Sequence, residues 1–319
     1  MLASAREQGV KLAGVHVSLL LVFLSAVLGG ADGLLFGAAY TPYRHFGACP
    51  NESQVYEDMG KVMGITKRVR IYSTECMNVN RILLQYASEG RLEILMGVWI
   101  DNRSRDQGEI DDLITSLREF PHAKITGIVV GNEVMYRNTA SSSQLAGRIY
   151  EVRHKVRALG AQTGSEILKS TPVYAVEAYP NAQVVAASDA LGVNIHPFYV
   201  PDLPTIWDAD QMADAALEMA TKVMNLFKTM YPWKPMVVTE IGWPTSSSYS
   251  DQHVGNVAVA TAFMWKWKHH AEINNIPYYY FEIFDSPWRH PLFPNDNPSM
   301  SDFNFGLYYA DRRTPKWGM

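Results

Sequence analysis

Short apolar runs alternate with longer amphipathic stretches from residue 34 onward. The runs are LLFGAAY (34–40), RVRIYS (68–73), LEILMGVWI (92–100), KITGIVVGN (124–132), PVYAVE (172–177), ALGVNIH (190–196), PMVVTE (235–240) and YYYFEIF (278–284). Near-continuous apolar runs of this length describe strands buried on both faces of a parallel sheet. Helix-period segments lie between them at 52–63, 106–119, 141–159, 209–230 and 252–273, with Ser141 and Asp251 as expected N-caps. Eight strands alternating with helices over about 280 residues predict a single (β/α)8 TIM barrel. An open doubly wound sheet gives the same alternation with fewer strands, but it requires a glycine-rich phosphate turn. FGAAYTPYRHFG (36–47), after the first strand, lacks that spacing. No repeat or low-complexity segment interrupts the pattern, so 32–319 reads as one domain.

The first 31 residues follow another rule. Arg6 and Lys11 precede the apolar VSLLLVFLSAVL, and the small residues Gly29, Gly30 and Ala31 follow, the layout of a signal peptide cleaved near Ala31. The alternative is an uncleaved membrane anchor, because Leu12 to Ala31 holds no charged residue. Export brings Cys49 and Cys76, the only two cysteines, into an oxidising compartment that favours a disulfide over two buried thiols. It also makes Asn51 (N-E-S) and Asn102 (N-R-S) glycosylation sequons.

Apolar residues at 47% and charged residues at 19% describe a folded globular chain. A net charge of −4 supplies no basic excess to displace counterions, which excludes nucleic acid as a partner. His269 and His270 are adjacent on a helix and cannot share a face. With no HExxH or cysteine cluster present, no metal and no cofactor is expected.

Catalytic groups of such a barrel project from the C-terminal ends of its strands. Those ends carry Tyr40, Arg70 with Tyr72, Trp99 with Asp101, Asn132 with Glu133, Glu177, Asn194 with His196, Glu240, and Glu282 with Asp285. Glu133 ends strand four and Glu240 ends strand seven, so the two carboxylates face each other across the mouth. Cleaving a glycosidic bond requires a proton donor at the bridging oxygen and a negative group below the anomeric carbon. Two carboxyls with proton affinities pushed apart supply both. Asn132 is placed to hydrogen-bond the sugar 2-hydroxyl.

VVGNEVMYR and VVTEIGWPTSS, with RVRIYSTEC, GVWID, NIHPFY and FDSPWRHP…FGLYYADRRTPKW, resemble glycoside hydrolase family 17, in its fungal and oomycete-type cell-wall branch. The resemblance runs from about Phe36 to Trp317. It implies a β-1,3-glucanase or β-1,3-glucanosyltransferase working by retaining double displacement, with Glu133 as acid/base and Glu240 as nucleophile. Retention implies carboxyl groups about 5–5.5 Å apart. Arg70 is expected to hold Glu240 ionised while contributing to the substrate rim. Tyr40, Tyr72, His196, Phe198 and Tyr199 are expected to line glucose subsites, Trp243 and Trp288 to act as platforms, and Glu282 to add a cleft carboxylate. Ser286 departs from the family, many members of which carry Glu there, so roles in that loop do not transfer. The expected product is a secreted, monomeric cell-wall enzyme whose partner is β-1,3-glucan. A catalytically silent glucan-binding protein on the same barrel is the alternative, and it would have lost one of the central carboxylates. A Schiff-base aldolase is excluded because no strand ends in Lys.

Overall fold

The computed structural model describes residues 34–317, apart from Pro180, Thr205, 249–252 and 293–300. The expected leader 1–31 and the expected cap Asp251 lie outside the described residues. Among the described residues no helix is long and apolar enough to cross a membrane.

The eight apolar runs form β1 (Ala38–Ala39), β2 (Arg68–Arg70), β3 (Glu93–Val98), β4 (Ile125–Asn132), β5 (Val173–Val176), β6 (Leu191–Ile195), β7 (Met236–Ile241) and β8 (Tyr278–Tyr280). They pair in parallel and in chain order into a closed barrel, β1 joining β8 at Ala38 and Tyr280. Closure leaves no strand edge exposed, which is why runs with no wetted face are tolerated. Complementary sizes fill the interior. Tyr174 on β5 packs beside Gly127 on β4 and Gly192 on β6, and a Cβ on Gly192 would lie 2.6 Å from Val176 and 3.0 Å from the Tyr174 ring.

Helices at Glu52–Ile65, Arg105–Glu119, Ser142–Thr163, Ala209–Met230 and Val257–Ile273 cover the barrel. Asn51 and Ser141 each close a capping box, with Gln54 and Gln144. The last of these helices starts later than its sequence pattern predicts: Asn256, not Asp251, caps it, through Val259 N–H at 2.8 Å. Three more helices were not expected: Met77–Ser88, Glu166–Ser170 and Ala182–Ala187.

Two features brace the open end of the barrel near β1 and β8. Residues beyond β8 are laced back by backbone bonds from Leu307 N–H to Glu282 C=O and from Tyr308 N–H to Ile283 C=O, both 2.9 Å, and Lys316 Nζ lies 2.6 Å from the Asp285 carboxylate. Cys49 and Cys76 form a disulfide that ties the loop after β1 to the start of helix Met77–Ser88. The bridge closes a 27-residue span, so its removal releases loop entropy to the unfolded chain. Replacing both cysteines by alanine is expected to cost about 3 kcal/mol, read as a lower denaturation midpoint with a steeper transition slope, because the uncrosslinked unfolded chain exposes more surface. The sequon residues Asn51 and Asn102 are both exposed.

Candidate active site

Glu133 leaves the end of β4 with φ +53°, the left-handed region that costs a residue with a Cβ about 1 kcal/mol or more. Neighbours hold it there. Its N–H donates to Val176 C=O on β5 at 2.7 Å, and the carboxylate of Glu177 accepts the next turn's Met135 N–H at 3.2–3.3 Å. Asn194, at the end of β6, donates its Nδ2 to Glu133 Oε1 at 2.9 Å.

Glu240 lies within β7, paired in register with Asn194, and is buried. Arg70, from β2, is fully buried inside the barrel and reaches across to it. Its NH1 donates to Glu240 Oε1 at 2.8 Å and to Thr239 C=O at 2.7 Å, and its NH2 donates to Asn132 Oδ1 at 2.7 Å. His196 Nε2 meets the other oxygen, Glu240 Oε2, at 3.0 Å, while Phe281 and Phe305 hold the imidazole edge-on at 5.2 and 5.5 Å. Asn132 Oδ1 accepts from both Arg70 and Asn194, which leaves its Nδ2 as the donor for a bound hydroxyl.

These surroundings drive the two carboxyls apart. Burial pushes Glu133 above its ordinary value and the nearby Glu240 charge adds to the rise, against the Asn194 bond. Burial also opposes ionisation of Glu240, but the Arg70 charge and the His196 bond outweigh it and hold this carboxyl below the usual range. The site therefore presents one carboxyl that holds its proton more tightly than usual and one that yields it more readily, joined through Arg70 and Asn194.

The expected rim resolves into residues at the centre and residues that are not. Arg70 and His196 each meet Glu240, and Asn132 meets Arg70, which serves as an internal support rather than a surface for sugar. Tyr72 lies under the Arg70 guanidinium at 4.4 Å. Trp288 is half-buried, 4.8 Å from the ring of Tyr43. Tyr199 is partly exposed and donates its hydroxyl to Asp302. Four expectations are corrected. Tyr40 is fully buried and turned outward, donating to Asp58 on helix Glu52–Ile65 at 2.7 Å. Phe198 and Trp243 pack edge to face at 5.2 Å in the core, and Trp243 extends toward Phe263 of the helical layer. Glu282 is wholly buried rather than a cleft carboxylate, accepting from Thr41 Oγ1 at 2.5 Å and Ser286 Oγ at 2.8 Å. Ser286, the family departure, thus serves as a support for Glu282. Asn194 and Glu177 stood among the strand-end polar residues without an assigned task; they hold the acidic side chain at 133 and its turn.

A family model described as the BtgE/BtgC glycoside hydrolase domain matches residues 37–297, a span that includes both central carboxylates. The chain belongs to the BtgE/BtgC glycoside hydrolase family. Curated relatives of this BtgE/BtgC chain include "Probable glucan endo-1,3-beta-glucosidase btgC" of Aspergillus terreus, 26% identical over 79% of this chain and 40% of the relative. "Probable beta-glucosidase btgE" of Neosartorya fischeri is 27% identical over 82% and 45%. The BtgE/BtgC chain thus spans less than half the length of these curated relatives. Its fold matches the crystal structure of a glycoside hydrolase family 17 β-1,3-glucanosyltransferase from Rhizomucor miehei, with TM-score 0.70 and 24% identity over 89% of this chain and 96% of that one. An endo-laminarinase from Formosa also has TM-score 0.70, at 20% identity over 90% and 86%.

Proposed function

We propose that this chain is a secreted, retaining β-1,3-glucan-active enzyme of glycoside hydrolase family 17, its leader removed near Ala31, working as a monomer at the cell wall with Asn51 and Asn102 glycosylated. The observation that carries the reading is the split between Glu133 and Glu240: opposite shifts in proton affinity at the ends of opposed strands, bridged by Arg70 and Asn194. The name of the Aspergillus terreus relative supports β-1,3-glucan as substrate.

In this mechanism Glu240, ionised by Arg70, attacks the anomeric carbon while Glu133 gives its proton to the departing oxygen. A glucosyl ester on Glu240 results. Glu133, now ionised, takes a proton from the incoming hydroxyl, which displaces Glu240 and restores the original anomeric configuration. Water as the attacking group gives hydrolysis, our principal reading; a sugar hydroxyl gives glucanosyl transfer. Asn132 Nδ2 donates to the 2-hydroxyl as the ring flattens.

Product analysis on laminari-oligosaccharides tests the proposal. Products of β configuration, shorter than the substrate, are expected, accompanied by longer ones in proportion to transfer. Longer products matched by shorter ones, with no net gain of reducing ends, would replace hydrolysis by transfer, whereas binding without any change in chain length would favour the silent glucan-binding alternative.

A further inference from the structure

The turns that lead into β7 and β8 lie at the end of the barrel opposite the carboxylates, because the parallel strands all run toward the catalytic mouth. Between these turns opens a cavity of about 330 Å³, lined by Lys228, Tyr231 and Lys234 on one side and Asn275 on the other. Met236, the first residue of β7, also lines it. Glu240 lies further along the same strand, about 13 Å from Met236 at the usual rise per residue. Trp233, exposed by 70%, stands between the lining residues Pro232 and Lys234 and meets the Tyr231 ring edge to face at 5.8 Å. A single exposed ring is ordinary. One that forms a corner with a second ring at the rim of a cavity offers a surface for a flat, partly apolar ligand.

The backbone around this cavity is fixed. Lys234 N–H donates to Tyr231 C=O at 3.1 Å, closing the turn that carries Trp233. Ile276 N–H donates to Ala271 C=O at 2.9 Å, and Asn275, at φ +51°, takes the left-handed conformation that asparagine tolerates. Both turns are tied to the sheet: Pro235 C=O accepts Leu191 N–H at 2.7 Å, and Pro277 C=O accepts Val238 N–H at 3.0 Å. A ligand therefore meets a surface formed in advance and orders little of it on binding.

The polar groups distinguish a neutral ligand from an anion. Lys234 directs its ammonium to Ser188 C=O, with the Asp189 carboxylate nearby, and lends the cavity its aliphatic stem. Exposed Lys228 and the Asn275 amide then supply the hydrogen bonds. One exposed ammonium attracts an anion only weakly, whereas hydroxyl groups, which both donate and accept, use an ammonium and an amide together. We propose that the cavity and the Trp233 corner form a second saccharide site, which holds a neutral β-glucan chain at the end of the barrel remote from the carboxylates. The apolar C–H face of one pyranose stacks on Trp233, and the hydroxyls of its neighbour in the cavity bond to Lys228 Nζ and the Asn275 amide. The cavity's volume falls at the lower end of ligand sites, about 300–1,000 Å³. The choice of β-glucan rests on the reading of the chain as a β-1,3-glucan-active enzyme. A segment held here is not the segment being cleaved, because the barrel stands between them; the site tethers the enzyme to its polymer.

The test compares the full chain with Trp233→Ala and Trp233→Phe by depletion binding, on ice, to an insoluble linear β-1,3-glucan and by kcat/KM on laminaritriose. Trp233→Ala is expected to weaken binding to the insoluble glucan about tenfold, with kcat/KM for the triose within about twofold of wild type. Trp233→Phe, which keeps a ring, is expected to recover most of the binding, and sodium chloride at about 0.5 M to leave wild-type binding intact. Binding that survives loss of the ring, that does not recover with phenylalanine or that salt abolishes would overturn the site, while wild-type activity on the triose upholds the function above. A matching loss of triose turnover in Trp233→Ala would also overturn a site remote from the carboxylates. Trp233-dependent binding without any activity would uphold the site and overturn the enzymatic function, and absence of both would overturn both.

Discussion

Glu240→Gln is expected to lower turnover of laminari-oligosaccharides by at least about 10⁴-fold, because the amide cannot form or release the glycosyl ester. That loss corresponds to about 5.4 kcal/mol of transition-state stabilisation. The substitution keeps shape and keeps an oxygen to accept from Arg70 NH1, so laminaritriose binding is expected to survive. It also removes the negative charge that offsets a fully buried guanidinium, so a lower melting temperature is expected beside the catalytic loss. Steady-state assays paired with calorimetric binding read both quantities. Turnover within tenfold of wild type in a folded variant would remove Glu240 from the nucleophile role.

Glu133→Gln is expected to cost about 10² to 10⁴-fold on natural glucan, the range of a lost general acid. The deficit should be much smaller for an aryl laminaribioside whose phenolate leaves without protonation. For the aryl substrate the slow step becomes hydrolysis of the ester, and added azide, which needs no general base, should accelerate it and yield a β-glycosyl azide. The pH profile carries a second signature. Activity requires Glu240 ionised and Glu133 protonated; the former carboxyl is held low and the latter pushed up, so wild-type kcat/KM should rise through the Glu240 value and fall through the Glu133 value. The variant should keep the acidic limb and lose the alkaline one. An intact alkaline limb would assign the proton donor to another group.

Much of this was legible in the sequence because a closed parallel barrel buries every strand and so writes each one as an apolar run. The helix Met77–Ser88 escaped for an identifiable reason. Its N-cap is Cys76, which makes no side-chain capping bond, so the usual Ser, Thr, Asp or Asn start signal is missing although Val79, Ile82, Leu83 and Leu84 keep the helical period. Asp251 and Asn256 are both competent caps, and local sequence did not distinguish them. The carboxylate pair was readable from Glu133 and Glu240 ending opposed strands. The aromatic rim was not. Strand residues alternate between barrel interior and helical layer, and Tyr40 takes the outer side while Thr41 turns to Glu282. Where the chain leaves a strand this alternation lapses, and burial of Phe198 and Trp243 depends on partners such as Phe263, distant in sequence. Asn194 was visible as a strand-end amide, but its bridging task between Glu133 and Arg70 exists only once β2, β4 and β6 surround one space.

The lacing of Leu307, Tyr308 and Lys316 onto Glu282, Ile283 and Asp285 bears on how the protein is made. Ala38 cannot meet Tyr280 until the last strand has been translated, and the brace across that seam arrives with residue 316. A nascent chain halted short of it would hold an open parallel sheet with its first and last strands unpaired, the sort of intermediate that invites aggregation. Completion of the barrel therefore waits on residue 316, and yield in a heterologous host should depend on chaperone capacity more than on codon-level pacing of the early strands.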